Sequence, residues 1–140
     1  MKFPFFGSIN PVLKNRQAVD ISRMRVFLGR YFRLAPLNAL KCEAGRGSYS
    51  QWHAAVFPDP SGEALHRVAF FVYYLNDVEA GGESEFYSQK LEVQPRKGRL
   101  IMAPARFTHS HRGNRPESGD KCILTSSLLF KRVPGLGPTG

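Results

Sequence analysis

Four histidines, at positions 53, 66, 109 and 111, are the side chains in this 140-residue chain best suited to holding a metal or moving a proton near neutral pH. His109 and His111 stand two apart, so on an extended strand both would face one side and both could approach one site. His66 precedes a long apolar run and reads as an ordinary turn or surface residue. Glu83 and Glu85 have the spacing of a carboxylate pair, yet nothing in the chain matches them to a substrate. Cys42 and Cys122 are too few for a disulfide framework and read as two reduced thiols.

The elements that must position these side chains are mostly β. Residues 19–34 are the exception. Ile21, Met24, Val26, Phe27, Leu28, Tyr31 and Phe32 form a helical apolar stripe, Asp20 or Ser22 can cap it, and Pro36 ends it. Short apolar runs separated by Gly, Pro, Asn and Asp follow, at 39–42, 49–56, 67–75, 84–87, 91–93, 99–102, 108–111 and 123–130. The run 67–75 is apolar almost throughout, the pattern of a strand buried on both faces. Such a series argues for a sandwich or barrel. The expected organisation is a leader over 1–18, one domain over 19–132 and a flexible tail over 133–140.

Composition is that of a globular domain, with 42% hydrophobic and 12% aromatic residues. No apolar run reaches membrane-spanning length. Pro4, Gly7 and Pro11 interrupt the N-terminus, which does not read as a signal peptide, so the expected location is cytoplasmic. The net charge of +9 is uneven: residues 1–46 carry nine Lys/Arg against two Asp/Glu. This basic stretch is suited to an acidic protein or nucleic-acid partner, or is simply a solvated face; no nucleic-acid motif accompanies it.

One ordered set of blocks is more specific. Gly47-Ser48-Tyr49-Ser50-Gln51-Trp52-His53 is followed by Tyr73-Tyr74-Leu75-Asn76-Asp77, Gly81-Gly82-Glu83-Ser84-Glu85-Phe86 and Lys97-Gly98-Arg99-Leu100. Phe107-Thr108-His109-Ser110-His111-Arg112-Gly113 and Gly119-Asp120-Lys121 complete it. In order and rough spacing the set resembles the Fe(II)/2-oxoglutarate-dependent dioxygenases, prolyl-4-hydroxylase-like branch, over residues 40–130. The resemblance implies a double-stranded β-helix, or jelly roll, with a short N-terminal helix. It also implies Fe(II) as cofactor and 2-oxoglutarate as cosubstrate.

That family holds iron with two histidines and a carboxylate on one face of the metal. The resemblance assigns His53 as the first ligand and His109 as the second, with His111 as the rival for the latter place. The carboxylate, two residues after the first histidine, is missing: Ala55 stands there. The resemblance leaves three readings open. The site is degenerate, or a halide fills the vacated position as in the related halogenases, or Asp59 or Glu63 swings in. For 2-oxoglutarate it assigns Lys121 to the distal carboxylate, with Tyr74 and Thr125 beside it. Cys42 is a second departure, standing where the family commonly has a tyrosine. The alternative to an oxygenase is a noncatalytic β-helix binding domain with a basic surface.

Overall fold

The computed structural model describes residues 29–131. Residues 29–31 are helical and belong to a unit running Met1–Tyr31; a second unit begins at Phe32. The expected leader, the helix over residues 19–28, most of the basic N-terminal stretch and the tail lie outside the described residues. The helix expected to reach residue 34 stops by residue 31. Phe32, Arg33 and Leu34 are instead a strand, because they pair antiparallel with Phe130, Leu129 and Leu128. Long-range pairing here overrides a local helical pattern.

Among its described residues the second unit has nine strands: β1 (Phe32–Leu34), β2 (Asn38–Cys42), β3 (Tyr49–His53), β4 (Arg67–Tyr74), β5 (Ser84–Phe86), β6 (Leu91–Val93), β7 (Leu100–Pro104), β8 (His111–Gly113) and β9 (Lys121–Phe130). One sheet has the order β1-β9-β4-β7, with β2 also paired to β9; the other has the order β3-β8-β5-β6. All pairs are antiparallel. This is the jelly-roll, double-stranded β-helix architecture. Among the described residues no helix is long and apolar enough to cross a membrane.

The core lies between the sheets. Alternation along β4 turns Phe70, Val72 and Tyr74 inward, where they meet Ile101 and Ala103 of β7 and Phe86 and Val93 of the opposite sheet. Each buried Phe, Val or Ile contributes about 1.5–3 kcal/mol. The other face of β4 is not buried as its composition suggested, since Tyr73 is 39% exposed.

Two connections fix the open end of this sandwich. Asn76 accepts from the Cys122 amide (2.8 Å) and donates to the Asp120 carbonyl (2.8 Å), tying the end of β4 to the start of β9. Gly81 and Gly82 both have positive φ, 72° and 76°. A Cβ on Gly81 would lie 2.3 Å from the Arg115 carbonyl, so only glycine allows the chain to pass there. The turn aims the Gly82 carbonyl at Lys121.

Candidate functional site

His53 is the last residue of β3 and His111 the first of β8, and the two are register partners. Their ring centroids lie 4.4 Å apart. Phe70 stacks on His111 at 4.2 Å with the planes 14° apart, and Tyr49 meets His53 edge-on at 4.7 Å. His53 Nδ1 bonds the Gln51 carbonyl (2.9 Å) and His111 Nδ1 bonds the His109 carbonyl (3.0 Å). A carbonyl only accepts, so each Nδ1 donates in its bond and Nε2 is the ring atom left for another partner. Burial pushes His111 down to about 4 against the opposing bond to the His109 carbonyl, with the charges of His53 and His109 adding smaller downward effects, so its ring is neutral at pH 7.

The ring that pairs with His53 is that of His111, not of the expected His109. Phe107–His109 forms a 3-10 turn, which Ser110 closes by donating its amide and hydroxyl to the Phe107 carbonyl. The extended chain resumes only after the turn, so alternation does not carry back to His109. Its ring bonds the Thr108 hydroxyl (3.1 Å) instead. The strand expected at 108–111 is accordingly β8, at 111–113.

His53 and His111 open on a cavity of about 880 Å³ between the sheets, whose wall also includes Lys121, Thr125, Cys42 and Ala55. Lys121 is only 3% exposed, and its Nζ donates to the Gly82 carbonyl (3.0 Å). Burial lowers its pKa, while Cys42 and Glu83 oppose that shift. Cys42 is its register partner across β2 and β9; Thr125 sits four positions further up the same pairing, opposite Asn38.

Tyr74 is placed differently. Its side chain is fully buried, its hydroxyl bonds Ser84 (2.6 Å) and the Val93 carbonyl (3.4 Å), and it is not on the cavity wall. Ser84 stands on the wall instead. Burial raises the Tyr74 hydroxyl to about 12. Tyr74 therefore acts here as a core aromatic that holds Ser84.

Ala55 is buried, and its carbonyl accepts from Arg67 Nη1 (3.0 Å). Neither loop carboxylate turns toward it. Asp59 accepts from the Ser61 hydroxyl and the Ala64 amide, and Glu63 pairs with Arg33 (3.0 Å). Among the described residues no three His, Cys, Asp or Glu side chains are grouped to hold a metal ion. The two imidazoles fit a metal; among the described residues no third protein donor joins them.

Arg67 is the site residue that the sequence did not single out. Its guanidinium stacks on Phe57 at 5.3 Å beside Ala55. Alternation from Phe70 would turn it away from the cavity, yet it lies on the wall, next to an irregularity in the β4–β9 register between Arg67 and Ala69. Nothing local in the sequence signals that irregularity.

The family model described as 2OG-Fe(II) oxygenase superfamily matches residues 37–127. No curated protein matches the chain. Among solved structures, the viral collagen prolyl hydroxylase of Paramecium Bursaria Chlorella virus-1, in complex with 2OG, aligns with a TM-score of 0.60 at 21% identity, over 80% of this chain and 71% of that one. A prolyl 4-hydroxylase from Phytophthora capsici gives 0.56 at 21% identity, over 81% and 40%. A Pseudomonas putida prolyl-4-hydroxylase gives 0.53 at 19%, over 80% and 62%. At these identities the likeness is one of fold.

Proposed function

The chain belongs to the 2OG-Fe(II) oxygenase superfamily, and from that membership we propose that its cavity binds 2-oxoglutarate through Lys121 and iron through His53 and His111, with oxygenation kept low by Ala55. The observation that carries the reading is that the paired imidazoles and the buried ammonium open on one cavity.

Each residue has a derived task. The carbonyls of Gln51 and His109 hold the two rings with Nε2 free to bind a metal. Lys121 would bind a carboxylate by a charge-assisted hydrogen bond, strengthened by its burial. Thr125 offers a hydroxyl on the same wall, and Phe70, Val72 and Ile123 exclude water around it. When bound, iron and 2-oxoglutarate supply the oxidation chemistry of the superfamily. Ala55 leaves the metal one protein donor short, which favours ligand binding over turnover.

Anaerobic titration with Fe(II) and 2-oxoglutarate tests this through the metal-to-ligand charge-transfer band. The band is expected only at high iron concentration, and not at all in Lys121→Met. Absence of the band at every iron concentration refutes the reading.

A further inference from the structure

We propose that this cavity takes a dicarboxylate before, and without, a metal ion. The proposal rests on the reading that 2-oxoglutarate is its ligand, but it reverses the order in which a metal-first site would fill.

The cavity wall carries four cationic side chains, Lys41, Arg67, Arg112 and Lys121, and no Asp or Glu. Lys41 is paired with Asp120 (2.8 Å) and Arg112 with Glu85 (2.7 Å). Arg67 and Lys121 have no carboxylate partner within ion-pair distance among the described residues. Arg67 Nε has no hydrogen-bond partner, and the Lys121 ammonium has one acceptor for its three N–H groups. Neither cation is ion-paired, although Glu83 is near enough to act on Lys121 and Arg67 near enough to act on Asp59, and a divalent ion arriving first would add to the positive charge of the wall. A dianion cancels it.

The positions suit a short dicarboxylate. Lys121 Nζ lies 3.4 Å from where a Cβ on Gly113 would stand. His111 is two residues before Gly113 on β8, about 6.6 Å along the strand. Tyr49 pairs with Gly113, and the chain then runs past His53 to Ala55, whose carbonyl anchors Arg67. The two cations therefore bracket the imidazole pair, Lys121 at one end and Arg67 at the other. A dicarboxylate seated there brings the anionic oxygen that Ala55 cannot supply, so the metal binds after it.

Isothermal titration of the native protein in chelator tests the order. 2-Oxoglutarate should bind metal-free protein one to one. Glutarate, which lacks only the 2-oxo group, should bind within about threefold of it, because that group has no metal to meet. Adding 2-oxoglutarate should raise Mn(II) affinity about tenfold or more, and by linkage Mn(II) should raise 2-oxoglutarate affinity equally. Lys121→Met or Arg67→Met should weaken metal-free binding about tenfold. Two variants are used so that one folding defect does not decide the result. Binding seen only with metal overturns this proposal and leaves the proposed function standing. Binding in neither condition defeats both. Metal-free binding unchanged in both variants means adventitious attraction to a basic surface, and also overturns the proposal.

Discussion

His53 and His111 are register partners across β3 and β8, with ring centroids 4.4 Å apart. His109, only two residues from His111, is turned onto Thr108 by a 3-10 turn. This relationship yields a direct comparison. His111→Ala should lower Co(II) affinity about 10- to 100-fold, the range for losing a metal-site partner. His109→Ala should leave it within about twofold, since the hydrogen bond His109 gives His111 comes from its backbone carbonyl, which the substitution keeps. Equal losses in the two variants would reject the pairing.

Ala55→Asp restores an anionic oxygen two residues after His53. Divalent-metal affinity should rise about tenfold or more, because the third hard donor then comes from the protein. In the unmodified protein, succinate release from 2-oxoglutarate should stay near background whether or not chloride is present. Brisk turnover in either buffer would contradict the assignment of Ala55 as the limiting position.

Tyr74 predicts an alkaline transition. Burial raises its hydroxyl from 10.0 to about 12, so the folded chain keeps this proton at a pH where the unfolded chain loses it. The resulting stability is full below pH 10 and is lost as pH rises toward 12, about 2–3 kcal/mol for one proton. Tyr74→Phe gives up the bond to Ser84, about 1 kcal/mol at neutral pH, but should lack that alkaline component. Urea midpoints at pH 8 and pH 11.5 for both proteins measure the difference. Parallel declines would show that Tyr74 is not its source.

Gly81 and Gly62 separate two costs of replacing glycine. Both have positive φ, 72° and 67°. At Gly62 nothing lies within 4 Å of the added Cβ, whereas at Gly81 the Arg115 carbonyl lies 2.3 Å away. Gly62→Ala should therefore cost about 1 kcal/mol, the conformational term alone. Gly81→Ala should cost about 3 kcal/mol or more, since backbone must also move. Similar losses in thermal unfolding would show that the turn yields more easily than its packing indicates.

Much of the scaffold is written in local patterns. The runs at 67–75, 84–87 and 91–93 became β4, β5 and β6 to within a residue, because turn residues bound them, β-branched and aromatic side chains fill β4, and β5 and β6 alternate about a central glutamate. Gly81-Gly82 declared a turn that only glycine can make, and the ordered blocks around His53 and Lys121 pointed to one family and its jelly roll. These features depend on residue type at short range, which the chain states directly.

What the chain could not state alone was which side chains meet. Phe32–Leu34 continued a helical stripe until pairing with β9 made it a strand. His109 and His111 were equivalent by alternation until the Phe107–His109 turn and the β3–β8 register separated them. Arg67 stands on the cavity wall beside a register irregularity, and Tyr74 is off that wall with its hydroxyl bonded to Ser84 of the other sheet. Local sequence determined the strands and the chemistry they carry. Tertiary structure decided the site, because register is set by partners many residues away and a slip of one residue exchanges the faces of a strand.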